Sequence, residues 1–427
     1  MKDYQLSNLL AKSQRLGNLP FGQFVNSNII IEKADSAYLF DTEGKRYLDF
    51  ANNNRLLTYN HPQIQETLQE ESRKLISSIN FTWQKNQIDL ADKIICSLDQ
   101  VNSNSKILFT NSSSDAFDTA LRMAKTCQEN RNNIISFNES FFGHNLSALA
   151  VSAFNAQNNK NCLFSDSNIY FIDYPNILNK QINLAKIQAQ FEKIFELHCQ
   201  PDSVFAIVIE SILFEAGLIQ APADFWKYLQ TLCDRFGIIL ILDERQTAFG
   251  RTGKLFYSQS FGFQPDIIIF GDNIAQGLPF GGLLIQNERL TNSFINQVNI
   301  NSLACGVALS TLNIIEQEML YEKTTERGKK IQQSLKDRFG DYLEILGQGF
   351  LIGLMPKDKD LNIQPILSRA LVKGLMVLSC GRKSSVIRLT PPLDISDNLL
   401  NEGLSILEQI IDYEILIMVE SHKFRTK

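Results

Sequence analysis

Two acidic side chains follow short apolar runs, a pattern that places a charged group at the end of a buried strand. Asp243 comes directly after GIILIL, and Asp272 comes two residues after IIIF. In open α/β sheets, ligands bind at the carboxyl ends of the strands. A carboxylate there is unfavourable to bury unless it meets a positive partner, such as the protonated ring nitrogen of a cofactor. The structural alternative for Asp243 is a salt bridge, to Arg245 or to Arg251.

A run of small hydroxyl residues offers a second kind of chemistry. Ser112, Ser113 and Ser114 lie between the apolar run ILFT and AFDTALRMAK, a segment with helical periodicity. Free backbone N–H groups, hydroxyls and the positive end of a helix dipole together bind phosphate. An ordinary serine or aspartate helix cap would use the same residues, so this stretch alone leaves both interpretations open.

Aromatic and acidic residues follow two further apolar runs. Phe141 opens the sequence FFGH after IISF, where it either stacks on a planar ligand or packs in the core. Glu210 ends the run FAIVIE, and Glu215 follows it closely. A helix cap is the structural alternative for each glutamate.

These residues need a scaffold, and the chain shows a regular alternation from residue 106 onward. Short apolar runs recur at Ile107–Thr110, Ile134–Phe137, Ile169–Ile172, Phe205–Ile209, Ile238–Leu242 and Ile267–Phe270. Segments with helical periodicity lie between most of them. The pattern predicts an α/β fold with a mostly parallel sheet that is covered by helices on both faces.

The two ends of the chain differ from this central part. Ile29–Phe50 alternates as strands do, with the hairpin turn T-E-G inside it. After Ala304 the pattern changes to long helices and a few strands. We therefore expect residues 1–50 to join a smaller α+β domain formed by residues 304–427, and residues 51–303 to form the large domain.

Composition argues against several classes of protein. The chain has 427 residues, 20% of them charged, and a net charge of -5, unlike the clustered positive charge of a nucleic-acid-binding surface. Its seven cysteines are dispersed without a CxxC pair, and its four histidines lack ligand spacing, so we expect neither a disulfide framework nor a metal site. No apolar run approaches the roughly 20 residues of a membrane span, and the N-terminus lacks the apolar core of a signal peptide. We expect a soluble, cytoplasmic protein without a membrane partner.

Taken together and in this order, these features resemble the class-III aminotransferases (ornithine, acetylornithine and 4-aminobutyrate type) of the fold-type I pyridoxal-phosphate enzymes. The resemblance runs from DTEGKRYLDF (41–50) to VIRLTPPL (386–393). Its most specific piece is LDERQTAFGRTGKLF (242–256), against a family pattern of D-E-V-Q-T-G-F-G-R-T-G. The resemblance implies a large domain and a small one, the cofactor pyridoxal 5'-phosphate (PLP) or pyridoxamine 5'-phosphate (PMP), an amino acid or keto acid substrate, and a dimer with active sites at the subunit interface.

The resemblance also implies roles for the cofactor-facing residues. Asp243 would hold the pyridinium nitrogen and keep it protonated, so that the ring serves as an electron sink. Gln246 would contact the 3-oxygen of the ring, and Phe141 would stack on its face. Ser112, Ser113 and Ser114 match the family's S-G-T, which holds the phosphate.

A second set of matches concerns the substrate. Arg388, in VIRLTPPL, matches the arginine that takes a substrate carboxylate, a bidentate task suited to guanidinium. Glu215 matches the glutamate that pairs with this arginine when a different substrate end must be admitted. Glu210 matches the first glutamate of the family's E-P-x-Q-G-E.

The chain departs from the family at its central lysine. Where the family reads L-G-K-x-I-x-G-G-L-P, this chain reads F-G-D-N-I-A-Q-G-L-P, so Asp272 stands at the position of the Schiff-base lysine. A carboxylate has no amine and cannot form an imine, so PLP or PMP, if bound at all, would be bound non-covalently. Asp272 also adds negative charge near Asp243, and we expect the two carboxylates to repel each other.

Lesser departures point the same way. Ser113 replaces the glycine of S-G-T, and Gln297 replaces a phosphate-binding threonine that the family donates across the dimer. Leu213 and Phe214 replace the Q-G of E-P-x-Q-G-E.

Three hypotheses fit these residues. In the first, the protein is a degenerate homologue without ordinary transaminase activity that scaffolds or regulates, as a homodimer or as the partner of an active paralogue. In the second, it is an active enzyme that uses PLP or PMP on an amino acid or amine, with Asp272 as the base that transfers the proton. In the third, position 272 was altered in an ordinary aminotransferase, which leaves the neighbouring departures unexplained.

Overall fold

The architecture is taken from a computed structural model that describes residues 29–76, 82–98, 104–154, 169–179, 181–262, 264–290 and 300–425. Within these ranges the strands are β1 (Ile31–Asp35), β2 (Tyr38–Asp41), β3 (Arg46–Asp49), β4 (Lys106–Thr110), β5 (Asn133–Phe137), β6 (Ile169–Ile172), β7 (Val204–Glu210), β8 (Ile212–Leu213), β9 (Ile219–Gln220), β10 (Ile239–Asp243), β11 (Ile267–Phe270), β12 (Gly281–Ile285), β13 (Leu343–Gln348), β14 (Leu351–Pro356), β15 (Leu375–Met376), β16 (Leu378–Cys380) and β17 (Val386–Leu389). The α-helices are α1 (Pro62–Lys74), α2 (Lys85–Cys96), α3 (Ser113–Cys127), α4 (Leu146–Val151), α5 (Leu184–Leu197), α6 (Ala223–Phe236), α7 (Ser302–Gln317), α8 (Leu320–Phe339), α9 (Ile363–Val372) and α10 (Asp397–Arg425).

A seven-stranded sheet in the order β4-β12-β11-β10-β7-β5-β6 forms the centre of the molecule. Strand β10 is parallel to β11 and to β7, and β5 is parallel to β6 and to β7. Every residue of β7, β10 and β11 is buried, as expected for strands that are covered on both faces. The mostly parallel α/β sheet predicted from the alternation of apolar runs is therefore confirmed.

Helices pack against both faces of this sheet, and alternate side chains of one strand contact the helices on opposite faces. Ile239 and Ile241 of β10 pack in a cluster with Phe117 of α3. Leu240 and Leu242 of the same strand pack in another cluster with aromatic residues of α5 and α6. Because successive strand residues point to opposite faces, one apolar run is enough to hold both helical layers.

Strand β12 is an element that sequence reasoning missed. It runs antiparallel to β11 and to β4, and it begins with Gly281 and Gly282, a residue type that is more typical of turns than of strands. A Cβ on Gly281 would lie 2.4 Å from the backbone oxygen of Ser112, and one on Gly282 would lie 2.3 Å from the ring of Phe270. Gly281 is therefore needed for close packing against the start of α3, and Gly282 for close packing against Phe270 of β11.

The described residues also form two four-stranded sheets. In the first, with the order β1-β2-β3-β15, the short β15 pairs in parallel with β3 and joins the two ends of the chain. In the second, with the order β13-β14-β17-β16, β17 lies between β14 and β16. The segment LMVLSCG is divided between the two sheets, because β15 pairs with β3 and only β16 pairs with β17. The domain boundaries stay a prediction.

The length and apolar character of the helices can be compared with those of a membrane-spanning helix. Within the described ranges, none combines the length and the apolar character that a membrane span requires.

Candidate active site

The carboxyl ends of β7, β10 and β11 bring three acids to one edge of the sheet. Glu210 ends β7, Asp243 ends β10, and Asp272 comes one residue after Gly271 beyond β11. Strands β11, β10 and β7 are neighbours, so these side chains belong to one site. Next to them is a cavity of about 60 Å³ lined by Phe141, Glu210, Ile212, Phe214, Glu215, Asp243, Arg245, Gln246 and Thr247.

Asp243 already has a positive partner within its own chain. The Arg245 Nε atom lies 2.9 Å from Oδ1 and 2.8 Å from Oδ2 of Asp243, and Nη2 lies 2.6 Å from Oδ2. The backbone N–H of Arg245 donates to Oδ1 over 3.0 Å as well. The side chains are only 11% and 4% exposed, so this is a buried ion pair. Burial alone lowers the pKa of Arg245, but the charge and hydrogen bonds of Asp243 raise it above its usual value.

Of the two salt-bridge partners expected for Asp243, the structure selects the nearer in sequence. Arg251 lies elsewhere in the core, where its guanidinium donates to the carbonyl oxygens of Arg55 and Phe350. Burial lowers the pKa of Arg251 to about 10.

Glu210 is a buried acid that positions two aromatic residues. Its Oε1 accepts a hydrogen bond from the backbone N–H of Phe141 over 2.8 Å, and its Oε2 accepts one from Phe214 over 3.2 Å. Burial, and then the charge of Asp243, raise the pKa of Glu210 to about 8. At neutral pH this carboxyl group is therefore mostly protonated.

Arg388 faces Glu215 and Phe214. Its Nη1 lies 3.6 Å from Oε1 of Glu215, which is an ion pair without a hydrogen bond. The guanidinium carbon lies 4.2 Å from the centre of the Phe214 ring, a cation–π distance. Although the side chain is only 6% exposed, its Nε and Nη1 have no hydrogen-bond partner among the described residues. An anion such as a carboxylate would satisfy these buried donors.

The three serines lie at the N-terminus of α3, apart from the residues that line the cavity. Ser112 is the N-cap, and its hydroxyl accepts a hydrogen bond from the backbone N–H of Asp115 over 3.1 Å. The structure thus shows the helix cap that was the alternative interpretation of this stretch. Ser113 and Ser114 are in the first turn, and a Cβ on Gly143 would lie 2.4 Å from the Ser114 hydroxyl oxygen. The serine turn and the FFGH loop are therefore in close contact.

Asp272 and Gln246 are both close to Arg245: Gln246 follows it in the chain, and the charge of Asp272 acts on it. Asp272 is the first residue of a short 3-10 helix, Asp272–Ala275. Burial raises the pKa of Asp272 above its usual value, while its own backbone N–H and the charge of Arg245 act in the opposite direction. The Oε1 atom of Gln246 accepts a hydrogen bond from Asn53 Nδ2 over 2.7 Å. Sequence reasoning missed Asn53, whose only signal was an Asn-rich stretch without periodicity, and Gln297 lies outside the described residues.

Comparison with protein families decides the ancestry of the chain. The family model described as aminotransferase class-III matches residues 23–411. This chain belongs to the class-III aminotransferases. It is 29% identical over 408 residues to an alanine/serine racemase of Pyrococcus horikoshii, covering 90% of this chain and 85% of the relative. It is 30% identical over 417 residues to a probable 4-aminobutyrate aminotransferase of Bacillus subtilis, covering 90% and 95%.

Solved structures of aminotransferases have the same fold. An aminotransferase from Bacillus anthracis superposes with a TM-score of 0.85 at 24% identity, covering 97% of this chain and 100% of that one. The taurine:2-oxoglutarate aminotransferase of Bifidobacterium kashiwanohense, solved in complex with PLP and glutamate, has a TM-score of 0.84 at 23% identity, covering 95% and 97%. The fold expected from the resemblance is confirmed.

The family comparisons support PLP or PMP as the cofactor, and the residues of this class-III chain fit such a group at one end only. At the phosphate end, the serines at the N-terminus of α3 suit an anion. At the ring end, both oxygens of Asp243 already accept from Arg245. A cavity of about 60 Å³ is also far smaller than the roughly 300–1,000 Å³ of ligand pockets. None of the described residues that line it is a lysine.

Proposed function

We propose that this class-III aminotransferase homologue lacks ordinary transaminase activity, and that PLP or PMP, if bound at all, is held without a covalent bond. The observation that carries the proposal is Asp272, which comes two residues after β11 at the edge of the site. We place it at the position of the family's Schiff-base lysine. A carboxylate supplies no amine for an imine, so the step that defines the family's chemistry has no group to perform it.

The remaining residues of the pocket support descent from a functional site. The serines at the start of α3 would hold a phosphate, Phe141 would cover one face of the ring, and Gln246 would meet its 3-oxygen. When bound, such a cofactor supplies an electron sink through its protonated ring. Arg388 and Glu215 would select the charge of the substrate end, because they face each other across 3.6 Å. Retention of these groups favours an amino acid or keto acid as the small molecule, if one is bound.

We further propose a dimer, either with a second copy of the chain or with an active paralogue. Ile76 is 57% exposed, Trp83 is 72% exposed and Ile88 is 51% exposed. These apolar residues lie at the end of α1 and the beginning of α2, two helices that both pack against α7. Large exposed apolar side chains in one region are typical of a protein interface. The cytoplasmic location expected from the composition is kept as part of this proposal.

One observation favours an active enzyme as the second candidate. Burial raises the pKa of Asp272 above its usual value, which would make its carboxylate a stronger base than an exposed aspartate. In this alternative, PMP and a keto acid, or PLP and an amine, react with Asp272 as the proton-transferring base. The first proposal is preferred, because it needs no base at position 272 and follows from the absence of an amine there.

The test is a search for a covalent adduct with PLP. The purified protein is mixed with PLP, treated with borohydride, and analysed by intact mass and peptide mapping, with an active class-III aminotransferase treated in parallel. We expect the reference enzyme to be labelled at one pocket lysine and this protein to show no stoichiometric adduct. A stoichiometric adduct on any single lysine would contradict the proposal.

The second candidate is tested separately. Purified protein is supplied with PMP and a panel of keto acids, and amino acid formation is followed by mass spectrometry. Turnover that is lost in Asp272→Asn would favour the active enzyme. Absence of turnover, with no adduct in the first experiment, supports the degenerate homologue.

A further inference from the structure

The ion pair at the end of β10 occupies both carboxylate oxygens of Asp243. Its carboxylate has about four acceptor positions on two oxygens. Arg245 approaches Oδ1 with its Nε and its backbone N–H, and Oδ2 with its Nε and Nη2, at 2.6–3.0 Å. An incoming cation would have to displace the guanidinium before it could reach Asp243.

Arg245 is held in this place from several directions. Its Nη2 donates to the carbonyl oxygen of Phe141 over 3.0 Å. Its own carbonyl oxygen accepts from Asn273 Nδ2 over 3.0 Å. The Cβ of Arg245 also packs near Gly271, where an added Cβ would lie 3.4 Å away. The guanidinium is thus fixed between Asp243 and the FFGH loop, among the residues assigned to the ring of the cofactor.

The positive charge of the site has also changed position. The family pattern D-E-V-Q has a neutral valine where this chain has Arg245, and a lysine where this chain has Asp272. The charge of Asp272 acts to raise the pKa of Arg245, and the charge of Arg245 acts to lower the pKa of Asp272. One substitution removes a cation from the pocket, and the other introduces a cation that two acids share.

From this geometry we infer that Arg245 is an internal substitute for the protonated ring of the cofactor, planar and cationic and paired with the same carboxylate. It closes the ring end of the pocket, so the folded protein does not need PLP or PMP to neutralise Asp243. The inference rests on the proposed assignment of this pocket as the cofactor site. It concerns non-covalent binding at Asp243, whereas the adduct experiment concerns position 272, so the two fail separately.

The test compares PMP binding, because PMP has no aldehyde and cannot label surface lysines. Isothermal titration calorimetry is carried out on wild type, Arg245→Val, Asp243→Asn/Arg245→Val and Arg382→Val. The last is the matched control, since Arg382 is 75% exposed and its ion pair with Glu139 is a surface one. Inorganic phosphate is titrated in parallel to measure binding at the phosphate end alone.

We expect Arg245→Val to bind PMP about 10- to 100-fold more tightly than wild type, the value of one charge-assisted hydrogen bond. The gain should be absent in Asp243→Asn/Arg245→Val and in Arg382→Val, and phosphate should bind all four proteins alike. Equal PMP affinity in wild type and Arg245→Val would overturn the inference. A gain of the same size in the double variant would overturn it too, because Asp243 would then be irrelevant.

A second variant covers the case in which Arg245→Val cannot be purified. Arg245→Gln keeps an N–H donor for Asp243 but removes the positive charge and shortens the side chain. At equal ligand concentration we expect PMP to raise the melting temperature of Arg245→Gln more than that of wild type, and phosphate to raise the melting temperatures of both proteins equally. A PMP-induced rise of equal size in wild type would refute the inference that the Arg245 guanidinium takes the place of the cofactor ring.

Discussion

Glu210 offers a direct test of the electrostatics of the pocket, through the variant Glu210→Gln. A carboxyl group whose pKa is higher in the folded state binds its proton more tightly there, so its ionisation destabilises the fold. The stabilising contribution of the protonated form is complete below the unfolded pKa and is lost as pH rises through the folded pKa. For Glu210 the interval runs from 4.5 to about 8. Over this interval wild type should lose stability that Glu210→Gln does not lose.

The size of the effect follows from the same pKa values. Each pH unit within the interval changes the free energy of unfolding by about 1.4 kcal/mol, which bounds the total at about 5 kcal/mol. The glutamine must also turn its NH₂ group towards the backbone N–H of Phe141 or of Phe214. That unmade hydrogen bond costs about 1–3 kcal/mol, but this cost does not depend on pH. The variant should therefore be less stable than wild type near pH 5 and should gain on it steadily as pH rises.

Urea unfolding followed by circular dichroism, at several pH values from about 5 to about 9, measures this difference. Glu215→Gln is the control, because the Glu215 side chain is 38% exposed and better solvated. Subtracting the free energy of unfolding of wild type from that of each variant at the same pH removes the contribution of all other titrating groups. A stability difference for Glu210→Gln that stays flat over this range would refute the assignment of Glu210 as a buried, protonated acid.

Two further predictions concern packing and assembly. Gly281→Ala should destabilise the protein by about 1–3 kcal/mol, because its Cβ would lie 2.4 Å from the backbone oxygen of Ser112. Gly271→Ala is the control, because its Cβ would meet only ordinary contacts from 3.4 Å. Its free energy of unfolding in urea should stay within about 0.5 kcal/mol of wild type. Equal destabilisation by the two substitutions would show that β12 does not pack so closely. Trp83→Glu should convert the dimer to a monomer in light scattering, whereas Leu197→Glu, at a residue 65% exposed elsewhere, should leave the mass unchanged. A wild-type monomer, or a dimer that persists in Trp83→Glu, would contradict the proposed interface.

Periodicity in the sequence was sufficient for the central sheet. The runs at β6 and β11 were predicted with the bounds that the structure shows, and β7 and β10 were predicted to within a residue or so. Strands that are buried on both faces are apolar throughout, so they stand out in any local window. Strand β12 was missed because its two glycines suggested a turn, and only the neighbouring Ser112 and Phe270 explain why glycine is needed there.

What the sequence determined by itself is the chemical character of position 272. Asp272 has no amine, whatever its surroundings, and it lies after an apolar run that had to be a strand of the sheet. The sequence also placed Asp243 at a strand end and limited its partners to a cofactor ring or a nearby arginine. It could not choose between them, because periodicity does not record the direction in which a side chain points.

The tertiary structure made that choice. Arg245 turns back onto Asp243 and is held there by the carbonyl oxygen of Phe141, a residue 104 positions earlier in the chain. Asn53 likewise meets Gln246 across 193 positions. Such contacts depend on how the strand ends are brought together, which no local pattern encodes. The surroundings of Asp243 are therefore a long-range arrangement, whereas the carboxylate at position 272 is visible in a single residue.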